Sequence, residues 1–328
     1  MRWMDKVAVA HRLEPTTVRP ASADASFRRY LRVDAGKDTF IIMDAPPDKE
    51  NCEPFMRVAG LMAEAGLRVP RVLDWDAAWG FMLLEDLGSQ TMIEALEPSV
   101  AEANQGLYLQ AVDALLAWQL ASRPGVLPPY DAPLLARELS LFPEWYLSQY
   151  RGVQIDAGMR ETLDRTFELI VQHNLASPSV YVHRDFMPRN LMPTTDDSGP
   201  AVLDFQDAVR GPIAYDALSL FKDAFLSWPE ARVDGWLAQY HARANEAGLP
   251  VPRAERFRRD ADLIGIQRHL KVLGIFARLH HRDHKPKYLE DAPRFVAYLR
   301  DIVSRYPELA PLQRVLERRL YPVVAAGA

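Results

Sequence analysis

The sequence predicts an α+β protein of two lobes, with a small N-terminal lobe built on an antiparallel sheet and a large, mainly helical C-terminal lobe. Two observations support this prediction. Before Gly88, short segments rich in β-branched and aromatic residues alternate with polar turns, whereas after Gly88 apolar residues recur with the period of a helix. We therefore expect lobes at residues 1–88 and 89–328, with a hinge at residues 85–88.

The first lobe is predicted to be a small sheet with one helix. A polar stretch that contains Gly36 separates the first two clear strand candidates, which predicts a β-hairpin. The helix is expected at residues 53–65, where Gly66 occupies a position at which helices commonly end. The strand candidates are residues 27–33, 39–43, 71–75 and 80–84.

The second lobe is predicted to consist of long helices interrupted by two short strands. The helical segments are residues 100–121, 134–150, 158–175, 230–247 and 254–281. The two strand candidates are residues 180–182 and 201–203, and polar, chemically reactive side chains follow each of them directly. The ends of these two strands are where we expect the chemistry.

Composition excludes several classes of protein. The 39 basic and 44 acidic residues give a formal net charge of −5, so a partner such as nucleic acid or an anionic membrane surface is not expected. The single cysteine, Cys52, excludes an intrachain disulfide and fits a reducing compartment. No apolar run reaches the roughly 18 residues that span a bilayer, so we expect a cytoplasmic protein.

The strongest local pattern is the run His-Arg-Asp-Phe-Met-Pro-Arg-Asn at residues 183–190. It matches the H-R-D-x-x-x-x-N catalytic loop and follows a strand candidate, as that loop does. A second pattern, Val-Leu-Asp-Phe-Gln-Asp at residues 202–207, follows the other strand and corresponds to the D-F-G metal motif. Together the two patterns indicate phosphoryl transfer.

The chemistry of phosphoryl transfer explains why these residue types occur together. A carboxylate must accept the proton of the attacking hydroxyl, and oxygen ligands must hold Mg²⁺ on the phosphates of ATP. Asp185 is the predicted base, and Asn190 and Asp204 are the predicted metal ligands. The alternative is that these residues are helix caps or solvated loop residues, since Asp and Asn are common in loops.

These motifs resemble those of the aminoglycoside phosphotransferase and choline kinase family, small-molecule kinases with a bilobal protein-kinase-like fold. The resemblance implies that ATP binds in the cleft between the lobes and that backbone groups of Glu85 and Leu87 contact adenine. It also implies a supporting role for Asp216, which would stabilise the catalytic loop. His183 and Arg189 are the other candidates for supporting positions.

The sequence departs from the family pattern at the residues that are expected to bind the phosphates of ATP. There is no G-x-G-x-x-G, and the expected phosphate loop is Ala-Ser-Ala-Asp-Ala-Ser at residues 21–26, where Ser26 is a candidate contact. Met43 or Asp44 occupies the place of the strand lysine that pairs with phosphate. Arg28 and Arg29 are the nearest substitutes, and because side chains alternate along a strand, only one should point inward.

Within the family, the chain is most similar to the kinases that phosphorylate the anomeric hydroxyl of N-acetylmuramate and N-acetylglucosamine in peptidoglycan recycling. The similarity lies in the runs at residues 25–30, 43–47, 204–208 and 267–276. It implies an amino sugar as the small-molecule substrate. Other acceptors, namely aminoglycosides, choline or homoserine, and a nucleotide-binding pseudokinase without turnover remain as alternatives.

Charge gives a separate argument for an acidic sugar, because residues 267–288 carry many cations and few acids. The candidates for sugar binding are Asp207, Arg268, Lys271 and Arg278. A basic segment beside the site would attract an anionic sugar and repel a polycationic antibiotic. The alternative is a solvated helix face, and the four histidines of this region leave a zinc site as a further, weaker alternative.

Overall fold

The computed structural model describes residues 2–22, 27–194 and 199–320. The chain forms two compact units, the first made of Met1–Ala121 with Asp185–Ala208 and the second of Ser122–Arg184 with Val209–Ala328. The first unit holds a five-stranded antiparallel sheet and the second is mainly helical. The predicted bilobal α+β class is confirmed, and the lobe division at residue 88 stays a prediction.

The secondary structure of the described residues is as follows. The strands are β1 (Glu14–Ser22), β2 (Arg29–Ala35), β3 (Asp38–Asp44), β4 (Val72–Asp76), β5 (Phe81–Glu85), β6 (Ser179–Val182), β7 (Leu191–Met192), β8 (Ala201–Val202) and β9 (Val209–Pro212). The helices are α1 (Arg2–His11), α2 (Glu53–Glu64), α3 (Met92–Ala95), α4 (Gln105–Leu120), α5 (Ala132–Leu141), α6 (Ala157–Leu175), α7 (Ala214–Phe221), α8 (Glu230–Glu246), α9 (Ala254–His281), α10 (Ala292–Val303) and α11 (Ala310–Arg319).

The sheet of the first unit has the strand order β1-β2-β3-β5-β4. The predicted hairpin is present, since β2 and β3 pair from Arg29 with Asp44 to Ala35 with Asp38. Strand β1 and helix α1 were not among the predicted elements. Trp3 and Val7 lie one helical turn apart on α1 and are buried in a core cluster with Val33 of β2, so this helix covers one face of the sheet.

The long helix α9 lies at the centre of the second unit, where it contacts α5, α6, α7 and α10. Gly274 permits one of these contacts, because a Cβ atom there would lie 2.5 Å from the backbone carbon of Leu141 at the end of α5. The predicted helices at residues 158–175, 230–247 and 254–281 match α6, α8 and α9 to within one residue at each end.

The predicted helix at residues 134–150 is wrong in its second half. The chain is α-helical as far as Leu141 and then π-helical over Phe142–Tyr150. Pro143 stands at this junction, and a proline inside a helix removes a hydrogen-bond donor and disrupts the α-helical ladder. Helices α7, α10 and α11 were not predicted. None of the described helices is both long enough and apolar enough to cross a membrane.

Candidate active site

Asp216 holds the backbone at the start of the catalytic loop, within the second unit. Strand β6 ends at Val182, and the next two residues, His183 and Arg184, donate their backbone N–H groups to the Asp216 carboxylate at 2.6 and 3.0 Å. Asp216 is fully buried near the start of α7, and His183 is also buried. The family resemblance implied a supporting role for Asp216 beside this loop, and the structure places Asp216 in contact with it.

Arg184 has a backbone conformation that is unusual for a residue other than glycine. Its φ angle is +79°, in the left-handed region, which costs about 1–3 kcal/mol and persists only where the surroundings fix it. Asp204 has the same property, with a φ angle of +60°. Unusual backbone conformations thus occur in both motifs that the sequence singled out.

Glu138 of α5 holds the side chain of Arg184 through an ion pair with the guanidinium group. The same carboxylate lies 3.3 Å from the Lys271 ammonium group on α9. Burial would raise the pKa of Glu138, but Lys271 and Arg184 lower it to about 2. The carboxylate is therefore ionised throughout the physiological pH range. Nothing in the local sequence around Glu138 indicated this role.

In the first unit, the two motifs meet through Asn190 and Asp204. The Asn190 amide nitrogen donates to the Asp185 carbonyl oxygen at 2.9 Å and lies 3.4 Å from Asp204 Oδ2. Strands β7 and β8 pair, and the Leu203 N–H donates to the Asn190 carbonyl oxygen at 2.9 Å, so backbone bonds fix this approach. The predicted base and the two predicted metal ligands therefore belong to one cluster.

Gln206 adds a further polar group beside Asp204. Its amide nitrogen donates to Asp204 Oδ1 at 2.8 Å, and Gln206 is buried. In the part of the chain that the structure describes, the Gln206 amide oxygen has no hydrogen-bond partner, although it is inaccessible to solvent. Carboxylate and amide oxygens are the ligands that Mg²⁺ prefers. The oxygen-rich set of Asp204, Asn190 and Gln206 therefore fits this ion.

Arg28 lies just before β2 and Arg29 is its first residue, and the two side chains have different environments. The Arg28 side chain is only 9% exposed and lies 2.9 Å from the Glu50 carboxylate, whereas Arg29 is 73% exposed and pairs with Asp44. Burial lowers the pKa of Arg28, but nearby groups that include Glu50 and Asp204 raise it overall. Arg28 is thus the buried cation of the two, and it lies close enough to Asp204 for the carboxylate to affect its pKa.

The predicted adenine-binding segment follows β5. Asp86 fixes it, because its carboxylate accepts hydrogen bonds from Arg32, from Thr39 and from the backbone of Gly88. The Glu85 N–H already donates to the Arg71 carbonyl oxygen at 2.9 Å, so an adenine contact by Glu85 would use its carbonyl oxygen. Leu87 is half-buried. Ser26 lies outside the described residues.

The three predicted sugar-binding cations of α9 differ in their surroundings. Arg268 is buried and its charge acts on the buried Asp223, and Lys271 is buried against Glu138, so neither belongs to a solvated helix face. Arg278 is half-buried, and within the described ranges its Nε has no hydrogen-bond partner. Burial and the neighbouring Arg282 lower the pKa of Arg278. Arg278 is therefore the least compensated cation of the three.

The remaining candidates are placed as follows. Asp207 is exposed and lies close enough to Arg28 to raise the pKa of that guanidinium group. Arg189 is half-buried in the catalytic loop. His269 is buried in α9 between the rings of Phe295 and Tyr298. Across residues 2–22, 27–194 and 199–320, three or more His, Cys, Asp or Glu side chains do not converge on a point that could hold a metal ion.

Comparison with known proteins decides the family. A model of the phosphotransferase enzyme family matches residues 17–247. The chain belongs to this family. An N-acetylmuramate/N-acetylglucosamine kinase of Pseudomonas aeruginosa is 51% identical over 303 residues, which cover 92% of this chain and 88% of that protein. A Neisseria meningitidis protein of the same name is 46% identical over 299 residues, which cover 90% of this chain and 88% of that protein. The resemblance stated from the motifs is confirmed.

Solved structures agree with a phosphotransferase fold. A choline kinase from Streptococcus pneumoniae superposes with a TM-score of 0.63 at 14% identity, covering 91% of this chain and 97% of that one. An ADP-bound aminoglycoside phosphotransferase gives 0.59 at 12% identity, covering 92% and 98%. At these identities the likeness concerns the fold. As a member of this enzyme family, the phosphotransferase is a small-molecule kinase.

Proposed function

We propose that this phosphotransferase transfers the γ-phosphoryl group of ATP to the anomeric hydroxyl of an N-acetylated amino sugar, with Mg²⁺ as cofactor. The observation that carries the proposal is the cluster in which Asn190 contacts both the Asp185 backbone and the Asp204 carboxylate. The names of the relatives at 46–51% identity support N-acetylmuramate and N-acetylglucosamine as acceptors. Since both sugars occur in peptidoglycan, the proposal includes a place in its recycling.

Asp185 is the group that removes the acceptor proton. As the anomeric oxygen forms a bond to the γ-phosphorus, the bond between that phosphorus and the β,γ-bridging oxygen breaks and ADP leaves. The Asp185 carboxylate takes the proton that the hydroxyl loses. A positioned base of this kind contributes about 10²–10⁴-fold to the rate.

Asp204, Asn190 and Gln206 are the residues that would hold Mg²⁺ through carboxylate and amide oxygens. The bound ion would neutralise charge on the phosphate oxygens during transfer. The left-handed backbone of Asp204 and the hydrogen bond from Gln206 orient the carboxylate before any ligand arrives. Preorganised groups stabilise a transition state without having to reorient during the reaction.

Arg28 takes the role of the missing strand lysine. Its guanidinium group is buried and paired with Glu50, which fixes its position, and the planar fork of a guanidinium group matches the geometry of phosphate oxygens. Glu50 also lies 3.3 Å from the Phe27 backbone nitrogen and so helps to fix the start of β2. In this proposal an Arg28–Glu50 pair binds ATP phosphate where a lysine–glutamate pair does so in protein kinases.

Arg278 is the proposed contact for the carboxylate that distinguishes N-acetylmuramate from N-acetylglucosamine. Its half-buried guanidinium group lies near Arg282, whose charge lowers the Arg278 pKa. Arg282 is already paired with Asp283, so the bound carboxylate would compensate Arg278. Arg268 and Lys271 already have buried carboxylates nearby, so we rank them below Arg278 for this contact.

A panel of acceptors tests the proposal. ADP formation would be followed with N-acetylmuramate, N-acetylglucosamine, choline and kanamycin, and Asp185→Asn would serve as the blank. We expect turnover with both amino sugars and little with the two cationic compounds. Preferred turnover of choline or kanamycin would contradict the proposed acceptor, and nucleotide binding without turnover of any compound would contradict catalysis.

A further inference from the structure

The Glu138 carboxylate is the centre of a buried polar cluster in the second unit. It accepts hydrogen bonds from the Tyr130 hydroxyl, from the Gln267 amide at 2.7 Å and from Arg184, and it pairs with Lys271. Glu138 is only 5% exposed. An ionised carboxylate has about four lone-pair sites, so these four donors fill its bonding capacity.

The cluster restricts the Arg184 side chain to one position. Its guanidinium group lies 5.6 Å from the centre of the Tyr130 ring as well as on the Glu138 carboxylate. Arg184 and Lys271 bring two buried cations to one carboxylate, and buried charges are stable only where they are paired. The loss of Glu138 would therefore remove a charged contact that holds Arg184 in its present position.

Arg184 also connects this cluster to the catalytic loop, because it immediately precedes Asp185 in the chain. Its backbone is left-handed, with a φ angle of +79°, and this conformation requires external support. Asp216 supports the backbone through the N–H groups of His183 and Arg184, and Glu138 supports the side chain. Two carboxylates thus hold the same residue at two points.

We propose that Glu138 is a positioning residue for phosphoryl transfer, which acts by holding Arg184 in the backbone conformation that presents Asp185 to the acceptor. The inference rests on the proposed function, in which Asp185 is the base. Glu138 itself contacts neither substrate in this account. Its loss should therefore lower the fraction of bound complexes in which Asp185 is aligned, and leave binding of ATP and sugar largely unchanged.

The test compares steady-state kinetics of Glu138→Gln with those of the wild type. Glutamine keeps the size and one acceptor oxygen but removes the charge. We expect kcat to fall by about 10- to 100-fold, as for a small misplacement of a catalytic group, while KM values for ATP and sugar stay within about twofold. Arg184→Met should give a similar fall, and the double variant should be little worse than either single variant, because residues that act as a unit are not additive.

Glu230→Gln is the matched control. Glu230 is a carboxylate of the same unit that pairs with Lys222, Arg258 and Arg305, none of which belongs to the catalytic loop. Thermal unfolding would be measured for both variants, and kinetics would be run well below the lower Tm. We expect both variants to lose stability and only Glu138→Gln to lose kcat. If Glu138→Gln does not fold, Tyr130→Phe removes one donor and keeps the charge, and should give a smaller fall in kcat at unchanged KM.

Two outcomes would overturn the inference. One is a Glu138→Gln enzyme with a lowered Tm and wild-type kcat, which would make Glu138 a residue for stability alone. The other is a rise in KM with unchanged kcat. Asp185→Asn separates these failures from failure of the proposed function. If Asp185→Asn retains turnover, the base assignment is wrong, whereas an inactive Asp185→Asn beside a fully active Glu138→Gln contradicts only the role of Glu138.

Discussion

Two carboxylates near the catalytic loop, Asp204 in the first unit and Glu138 in the second, have contrasting surroundings. Asp204 is half-buried and is contacted by the neutral amides of Gln206 and Asn190. Glu138 is buried, and two cations and two neutral donors fill its bonding capacity. The first arrangement suits a ligand for a cation that arrives with the substrate, and the second suits a permanent internal support.

The contrast indicates how the molecule divides its polar groups. Substitution of a charged group that contacts substrate should change catalysis or substrate binding and should have only a modest effect on stability. Substitution of a charged group that is paired inside the protein should mainly lower stability. It should lower turnover only where that group supports the catalytic loop.

The largest effect is expected from Asp185→Asn. We predict a fall in kcat on the order of 10³-fold, because the amide cannot accept the hydroxyl proton, with little change in ATP affinity. Steady-state kinetics and equilibrium nucleotide binding would measure the two quantities. Asp38→Asn, a change at an exposed acid at the start of β3, is the control and should behave as the wild type.

Arg28→Ala and Arg29→Ala form a matched pair on neighbouring positions. The loss of a charge-assisted phosphate contact removes about 1.5–3 kcal/mol, so Arg28→Ala should lower kcat/KM for ATP by roughly 10- to 100-fold. Arg29 is exposed and pairs with Asp44, so its removal should change the same constant by less than about twofold. Equal losses in the two variants would contradict the assignment of Arg28 as the cation that binds phosphate.

A smaller and selective effect is expected at α9. Arg278→Ala should lower kcat/KM for N-acetylmuramate by about tenfold and leave N-acetylglucosamine unchanged, because the lactyl carboxylate occurs only in the acidic sugar. The control is Arg282→Ala, which removes an exposed guanidinium group that already pairs with Asp283. Salt screens exposed ion contacts, so competition between the two sugars at low and high salt would show whether the contact with the acidic sugar is exposed to solvent. Equal losses on both sugars would exclude a carboxylate contact.

The smallest effect concerns pH and stability. Burial raises the pKa of Glu230, but Lys222 and Arg305 lower it to about 2, below the ordinary value of 4.5. The unfolded state therefore binds a proton at Glu230 more tightly than the folded state does. The ionised Glu230 carboxylate contributes its full stabilisation above the unfolded pKa, and this stabilisation is lost as pH falls towards about 2. Thermal unfolding measured from neutral to acidic pH should show that Tm depends less on pH in Glu230→Gln than in the wild type. An unchanged pH dependence would indicate that Glu230 contributes little to acid sensitivity.

The sequence predicted the catalytic cluster well because its chemistry resides in two short local runs. Residues 183–190 and 202–207 each follow a predicted strand, so the local pattern was enough to predict that Asp185, Asn190 and Asp204 belong to one site. The pairing of β7 with β8 brings the two runs together. The long helices α6, α8 and α9 were also predictable, since each has a sustained period of apolar residues. The roles of these site residues stay predictions until the variants are measured.

The supporting residues could not be predicted in the same way. Glu138 meets Arg184 and Lys271 only through the packing of α5 against α9, which no local pattern records. The same holds for Glu50 as the partner of Arg28. The basic character of residues 267–288 was visible in the sequence, but the burial of Arg268 and Lys271 depends on the neighbours of α9. Tertiary contacts thus decide which charges are compensated.

The position of the phosphate in the product shows whether the anomeric hydroxyl is the acceptor. N-acetylglucosamine would be incubated with ATP and magnesium, and the sugar product would be examined by proton and phosphorus NMR, with the 1-O-methyl glycoside as a matched acceptor that lacks the anomeric hydroxyl. We expect a phosphate coupled to the anomeric proton and no phosphorylation of the methyl glycoside. A phosphate on another carbon, or equal phosphorylation of the methyl glycoside, would contradict this expectation.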